Sequence, residues 1–307
     1  MSTLDSDKNR PKIAHPSVRP LITPHPMANR SYLYSLSNRP AAYADRPETI
    51  VGLSEWPYDV PFIYRLLMSG DPQPCASLVS DGMEDEEPGS KTRLHAISSV
   101  FEPGYARVRR FADIVRAAVA QAQAPAPAQA SSAAVGAASA PQPASFMDRV
   151  KQMFSPQANA APAPVPAPPA APASDQLLAA LDETLAFLDA HRDSHLLLET
   201  IELDIMSHAG EAELKACVDA EIVRCRHAGA ALDALPANVD EAARALRTAV
   251  AGQAAEPLDA FHGLRLDNDF DSTRTGATER PMGLYWSDVL YFELFNRSQF
   301  EAHLQQG

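Results

Sequence analysis

Hydrophobic and polar residues alternate with a period of two near the start of the chain, and this period is typical of β-strands. The alternation of Tyr32, Tyr34 and Leu36 predicts a first strand. Residues 49–53 (TIVGL) predict a second strand, and residues 75–79 a third. The first part of the chain therefore carries a small sheet.

Apolar residues then recur every three or four positions, which is the period of an amphipathic helix. A short helix is expected from Phe62 to Met68, because Pro61 suits a first turn and Gly70 a helix end. A longer helix is expected over residues 105–122, with its apolar residues on one face and most of its arginines outside that face.

The last part of the chain is mainly helical in pattern. One helix follows a cap at Ser174 or Asp175, a second covers residues 211–235, and a third opens with a capping-box pattern and covers 238–252. Residues 195–203 (HLLLETIEL) are compatible with a helix or a buried strand. Their β-branched residues and the preceding turn favour the strand.

Two segments have compositions that do not form a core. Residues 1–26 contain five prolines and no hydrophobic period, which predicts a disordered tail. Residues 123–173 alternate Pro and Ala and predict a semi-rigid linker. Within the linker, residues 145–154 form either a transient helix without a partner or a short docking helix.

The folded sequence is therefore expected in two parts, at 27–122 and 174–307. Seven aromatic residues lie between Tyr32 and Tyr64, and six between Tyr285 and Phe300. Because aromatic side chains dominate core energetics, we expect these two ends to pack together. The predicted fold class is α+β: one split domain with a small N-terminal sheet, a mainly helical C-terminal half and a disordered Pro/Ala-rich insertion.

Charge narrows the classes of partner. The chain has 39 acidic and 26 basic residues, giving a net charge of −13. From residue 175 onward there are 24 acidic residues against 10 basic ones. This excess disfavours nucleic acid and anionic membrane surfaces and favours a basic protein partner. A solvated helical surface that keeps the protein soluble is the alternative explanation.

Cysteine use and hydropathy suggest the compartment. The three cysteines, Cys75, Cys217 and Cys225, are an odd number without zinc spacing, so reduced thiols in the cytoplasm are expected. No apolar stretch of membrane-spanning length or secretory signal is recognisable. Neither a cofactor nor a bound metal is expected, and the oligomeric state does not follow from the sequence.

Motifs that could support catalysis are incomplete. Ser54 follows a predicted strand, but Trp56 stands where a nucleophile elbow requires a second Gly. His191 and His195 have helical spacing for one metal, yet no third ligand other than His208 is evident. Residues 267–271 (DNDFD) open like a calcium loop, but the later positions of that motif do not match. No catalytic residue is assigned.

Two sets of residues remain as candidate sites. If the two aromatic ends meet, their polar groups could line a ligand pocket. The candidate pocket residues are Glu55, Trp56, Asp59, Trp286 and Asp288. Two acidic loops could instead contact a basic partner. The candidate partner-binding residues are Glu84, Asp85, Glu86, Glu87, Asp267, Asp269 and Asp271.

Residues 27–35 (MANRSYLYS) and 50–61 (IVGLSEWPYDVP) resemble the opening of a family of uncharacterised bacterial proteins. The aromatic C-terminal segment is compatible with this family, whereas the Pro/Ala linker looks peculiar to this chain. The resemblance implies no activity and no site residues. It favours Met27 as the start of the folded unit, and translation from Met27 is a hypothesis.

These observations lead to two functional hypotheses. The first is a non-catalytic, acidic interaction protein, in its most concrete form an immunity or neutralising protein for a basic bacterial toxin. The second is a small-molecule enzyme or binding module with a pocket between the two aromatic-rich ends. An adaptor that docks through residues 146–154 is a third possibility.

Overall fold

The computed structural model describes residues 29–84, 91–124, 175–208, 210–252, 254–272 and 280–306. Five strands in these ranges form one antiparallel sheet in the order β2-β1-β7-β6-β3. A separate two-stranded sheet contains β4 and β5. The strands are β1 (Arg30–Leu36), β2 (Ile50–Pro57), β3 (Gln73–Ala76), β4 (Met83–Glu84), β5 (Lys91–Thr92), β6 (His95–Val100) and β7 (His195–Glu199).

The helices of the described ranges pack mainly on one face of the large sheet. They are α1 (Phe62–Met68), α2 (Phe101–Gln123), α3 (Asp175–Ala190), α4 (Ile201–Asp204), α5 (Glu211–Asp233), α6 (Val239–Ala251) and α7 (Arg297–Leu304). Within the described residues, a 3-10 turn covers Leu258–Phe261. None of the helices in the described ranges has both the length and the apolar character needed to cross a membrane.

The two faces of the sheet follow from the alternation along β1. Leu33 points towards the helices and joins the main core. Tyr32, Tyr34 and Leu36 point to the opposite face, where Leu290 and other residues of the C-terminal segment cover them. Both faces of β1 are therefore buried, which explains why its aromatic residues are almost inaccessible.

Strand β7 places both parts of the folded sequence in one sheet. It lies between β1 and β6, although it follows the Pro/Ala-rich region in the chain. Leu196 and Leu198 face the main core, whereas Leu197 belongs to the opposite cluster. An uninterrupted apolar run suits a strand that is covered on both sides. The strand interpretation of residues 195–203 is right for its first five residues, while residues 201–204 form α4.

Helices α1 and α2 approach closely at Gly104. A Cβ atom at this position would lie 1.7 Å from the carbonyl oxygen of Leu67. Glycine is required here because the backbone of one helix occupies the space of a side chain on the other. The contact fixes α1 against α2 and so positions the loop that precedes α1.

The α+β fold class is confirmed, and the bounds of some predicted elements differ. The third strand is displaced towards the N-terminus, to Gln73–Ala76, and α2 begins at Phe101 rather than at residue 105. The aromatic segment at 283–295 forms neither helix nor strand. The predicted tail at 1–26 and the predicted short helix at 145–154 lie outside the described residues, as does the predicted linker beyond residue 124.

Candidate functional site

A groove runs along α5. It consists of two adjoining cavities of about 640 and 470 Å³. Asp59, Val60, Arg65 and Arg224 line both cavities. The turn between β2 and α1 forms one wall, and α5 forms the other. We call this feature the α5 groove.

An ionic network lies at the centre of the α5 groove. Nε of Arg65 is 2.6 Å from Oε1 of Glu221, and Nη2 of Arg65 is 3.3 Å from Oδ1 of Asp59. Arg224 donates to the second carboxylate oxygen of Glu221 at 2.8 Å. The Glu221 side chain is only 6% exposed. A buried carboxylate is therefore held between two guanidinium groups.

The charge state of Arg65 follows from this pairing. Burial favours the neutral form of the guanidinium, but the hydrogen bond to Glu221 and the nearby negative charges outweigh burial. The net result is a raised pKa of Arg65. Because a buried charge without a partner is costly, Arg65 and Glu221 depend on each other for stability.

The turn that carries Tyr58 and Asp59 has an unusual backbone. Tyr58 adopts a φ of 62°, in the left-handed region that disfavours residues with a Cβ. Its backbone N–H donates to the carbonyl of Asn29 at 2.8 Å, and Asp59 accepts from the N–H of Val60 at 2.7 Å. These contacts hold the turn, and they leave the Tyr58 side chain 64% exposed at the groove.

Large apolar side chains surround the groove although they are accessible to solvent. Tyr58 and Val223 line it directly, and Val223 is 62% exposed. Ile205 and Met206 are also exposed, and they belong to the stretch whose neighbouring residues line the larger cavity. A group of exposed apolar residues around a concave site is typical of an interaction surface.

Carboxylates outnumber guanidinium groups along the groove. Burial raises the pKa of Asp204, with a hydrogen bond from Thr200 opposing the change. His227 and Asp259 form a pair at 2.9 Å in the smaller cavity. The acidic lining residues are Asp59, Asp204, Glu213, Glu221, Glu256 and Asp259, and the arginines are Arg65, Arg224 and Arg280.

The five predicted pocket residues do not share one cavity. Of these five, Asp59 lies in the α5 groove. Glu55 is 3.2 Å from Arg30 and accepts a 2.6 Å hydrogen bond from the N–H of Tyr291. Asp288 lines a separate cavity of about 240 Å³ next to Gly52.

The two tryptophans of that predicted pocket serve the core. Trp286 donates from its indole nitrogen to Thr184 at 2.7 Å and packs against Tyr64 and Phe187. Trp56 is partly buried against the same core. The two aromatic ends do contact each other, but their meeting produces packed side chains rather than a common pocket for the five predicted residues.

The predicted partner-binding residues differ in their exposure and in their contacts. Glu84 is exposed in β4, whereas residues 85–87 (Asp85, Glu86 and Glu87) lie outside the described residues. Asp267 and Asp269 both pair with Arg265, at 2.7 and 2.9 Å. Asp271 turns inward, which removes it from the surface that a partner could reach.

The inward carboxylate of Asp271 organises the chain around it. It accepts hydrogen bonds from the N–H groups of Gly283 and Leu284 at 2.6 and 2.9 Å. Burial raises the pKa of Asp271, and these hydrogen bonds partly oppose the change. Asp271 is therefore a structural residue that holds the start of the C-terminal segment.

The incomplete catalytic motifs have structural roles. Ser54 is fully buried, donates to the carbonyl of Tyr285 and accepts from the hydroxyl of Tyr64. His191 contacts the carbonyl of Phe187 through Nδ1 at 2.8 Å. Within the described ranges, no three or more His, Cys, Asp or Glu side chains come together as a metal site would require.

Sequence patterns do not predict most residues of the α5 groove. One feature of the sequence does point to it: Glu221 interrupts the apolar face of α5 between Val218 and Ile222. An acidic residue in an apolar stripe indicates a buried partner of opposite charge. That partner, Arg65, is 156 residues earlier in the chain, so no local pattern identifies it.

Comparison with known proteins gives a match, over part of the chain, to one domain without an assigned activity. Residues 37–143 match the model of a domain of unknown function, DUF7822. The match agrees with a resemblance to an uncharacterised family, and it includes residues 50–61 but not 27–35. Neither the curated proteins nor the solved structures yielded a match.

Proposed function

We propose that the protein is a non-catalytic, acidic interaction protein that binds a basic protein partner through the α5 groove. The observation that carries this proposal is the exposure of Tyr58 and Val223 at the rim of a groove with a buried ionic centre. Tyrosine and arginine are the residues that most often dominate binding energy at interfaces. The groove presents both types together.

The strained conformation of Tyr58 supports an interaction role. A left-handed φ costs a residue with a Cβ on the order of 1 kcal/mol, and such residues concentrate at functional sites. The exposed ring gains little from packing within this chain. Contact with a partner would bury the ring and offset the conformational cost.

Charge selects the class of partner. The whole chain has a net charge of −13, and six carboxylates line the groove beside three arginines. Such a field attracts a basic surface and raises its association rate. The apolar rim then supplies lasting affinity. In the most concrete form, the partner is a basic bacterial toxin that this protein neutralises.

The ionic centre supports binding rather than catalysis. Arg65 and Arg224 both pair with Glu221, Arg65 also pairs with Asp59, and Glu221 is buried under its partners. General acid or base chemistry needs a group that can exchange a proton near neutral pH and reach a substrate. A rigid ion pair instead provides a fixed surface for a partner to recognise.

The first experiment compares matched variants in a pull-down from a bacterial host at low and high salt. Val223→Ser removes an apolar contact from the groove, and Val289→Ser is the control because Val289 is similarly exposed in the C-terminal segment. We expect one basic protein to be retained by the wild type and by Val289→Ser, to be lost with Val223→Ser, and to be weakened at high salt.

A second pair of variants tests the charge with the purified partner. Glu213→Lys combined with Glu256→Lys changes the groove, whereas Glu183→Lys combined with Glu301→Lys makes the same charge change at other exposed positions. We expect the groove variant to weaken binding by at least about tenfold more than the control. Equal effects of the two variants, an acidic partner, or the absence of any stoichiometric partner would contradict the proposal.

The acidic residues at 84–87 remain a proposed second contact, together with Asp267 and Asp269 but without the inward Asp271. Glu84 is exposed, and Asp267 and Asp269 keep partial exposure beside Arg265. Charge reversal at Glu84 and Asp269 should reduce the association rate with the purified basic partner. An unchanged rate would restrict the proposed interface to the α5 groove.

A further inference from the structure

A cavity of about 330 Å³ lies at the free edge of β3, and its charged lining residues are all basic. They are Arg39, Arg93 and Lys215, the imidazole of His95 is the fourth basic group, and no carboxylate lines this cavity among the described residues. Small residues of β3 form its floor. In a chain with a net charge of −13, a cavity lined in this way is unexpected.

The four basic residues come from separate parts of the chain. Arg39 follows β1, Arg93 and His95 lie at the start of β6, and Lys215 lies in the first part of α5. The tertiary structure therefore creates this cluster. Because like charges repel, their convergence has an energetic cost unless a negative group compensates it.

Compensation within the described chain is incomplete. Arg39 is 3.5 Å from the exposed Asp71, and Lys215 is 2.7 Å from the exposed Asp219. Arg93 has no ion pair within the described ranges. None of the acidic partners of this cluster lines the cavity itself.

His95 is affected by the surrounding positive charge. Its pKa is lowered first by burial and then by the charges of Arg93 and Lys215, while Glu211 has the opposite effect. Nε2 of His95 is buried without a hydrogen-bond partner, 3.8 Å from Glu211, and Nε of Arg39 is likewise buried without a partner. An oxyanion in the cavity would supply the missing negative charge and would accept hydrogen bonds from the exposed Arg93 and Lys215.

We propose that this cavity binds a small molecule through an oxyanion group, which is either a phosphate or a carboxylate. Guanidinium groups recognise both through paired N–H donors, and lysine adds a point charge. A volume of about 330 Å³ limits the ligand to a small metabolite. The site is distinct from the α5 groove and does not depend on the function proposed for that groove.

A different role for the cluster is protection of the sheet edge. Charged side chains on an edge strand hinder pairing with another chain. That role needs no bound anion and predicts no saturable binding. The two explanations therefore differ in what an anion titration would show.

The test is a titration of the purified full chain with inorganic phosphate, pyrophosphate and citrate at matched ionic strength. Calorimetry measures the affinity, and the thermal midpoint gives a second measure, because a ligand that binds the native state stabilises it. We expect saturable binding of at least one of the three anions. Preference for phosphate or pyrophosphate indicates a phosphorylated ligand, and preference for citrate indicates a carboxylate.

Substitutions of the basic lining residues test whether the anion binds in this cavity. Arg93→Gln and Lys215→Gln should each weaken the affinity about tenfold or more, and Arg93→Lys should retain part of it. Arg247→Gln is the matched control, because Arg247 is exposed and lines a different cavity. The imidazole resonances of His95 should also shift on binding, which a distant effect on stability would not produce.

Two outcomes would overturn the proposal. One is the absence of saturable binding of all three anions by the folded wild type. The other is an equal loss of affinity in Arg247→Gln and in the cavity variants. Circular dichroism of each variant establishes that it is folded before its affinity is compared.

Discussion

The hydroxyl of Tyr34 donates a 2.6 Å hydrogen bond to the carbonyl oxygen of Phe292. Tyr34 lies in β1, between β2 and β7 in the sheet, and Phe292 lies in the C-terminal segment, 258 residues later. The ring of Phe292 also packs against Tyr32, with 6.1 Å between ring centroids. This contact holds the C-terminal segment over the sheet face that the helices do not cover.

Removal of that hydroxyl should measurably destabilise the protein. Tyr34→Phe leaves the part-buried carbonyl of Phe292 without its donor, and the expected loss in the free energy of unfolding is about 1–2 kcal/mol. Urea denaturation would measure it. Tyr285→Phe is the control, since Tyr285 is mostly exposed, and its effect should stay within about 0.5 kcal/mol. Equal stabilities of the two variants would argue against a role for the Tyr34 hydroxyl.

The close approach of α1 and α2 predicts a strong effect at Gly104. An added Cβ would lie 1.7 Å from the carbonyl oxygen of Leu67, so the two helices must separate in Gly104→Ala. We expect a loss of about 3 kcal/mol or more in the free energy of unfolding, from thermal or chemical denaturation. Gly210→Ala should cost less than about 1 kcal/mol, because the nearest atom to an added Cβ there is 4.0 Å away.

The buried carboxyl of Glu199 should make the free energy of unfolding depend on pH. This carboxyl is fully buried in β7 and accepts hydrogen bonds from the N–H of Leu78 at 2.7 Å and the hydroxyl of Ser77 at 2.9 Å. Burial raises its pKa from 4.5 to about 7, against the effect of these hydrogen bonds. The folded state therefore holds the proton more tightly than the unfolded state does.

The contribution of Glu199 to stability is fully present below about pH 4.5 and is lost as the pH rises through about 7. The expected loss is on the order of 3 kcal/mol. Glu199→Gln should remove this component, which urea denaturation at pH 5 and pH 8 can measure. Glu183→Gln is the exposed control and should keep the wild-type dependence. A wild-type dependence in Glu199→Gln would contradict the prediction.

Replacing Tyr58 by asparagine should affect the stability of the fold and the binding of the partner in opposite directions. Asparagine tolerates the left-handed conformation better than tyrosine does, and the exposed ring contributes little packing. Tyr58→Asn should leave the free energy of unfolding unchanged or raise it by up to about 1 kcal/mol. The same change should weaken binding of the basic partner at the α5 groove. Tyr58→Val should instead destabilise the fold, because a β-branched residue is disfavoured at this φ.

Local patterns identified most of the regular elements. The alternation at residues 32–36 corresponds to β1, and the capping pattern at residue 238 corresponds to the start of α6. There, the side chain of Asn238 accepts a hydrogen bond from the N–H of Glu241 at 3.0 Å. Residues 283–295 could not be assigned from their composition, because their aromatic side chains divide between the sheet face and solvent without a regular period.

Local sequence patterns identify less of the α5 groove than of the fold. The sequence indicates Asp59 as a polar candidate but groups it with Glu55 and Asp288, which lie elsewhere in the structure. Its contact in the structure is Arg65, which in turn binds Glu221 from α5. Proximity in sequence favours contacts within one helix or turn, whereas this network needs the packing of α1 against α5.

The sequence by itself determined the α+β class, the period of the main strands and helices, and the acidic character of the C-terminal half. Each of these depends on neighbouring residues or on composition. Only the tertiary structure decided that β7 lies between β1 and β6, that Arg65 meets Glu221, and that four basic residues surround one cavity. These relationships join residues far apart in the chain, and they are selected by burial and pairing in the folded core, which no local period encodes.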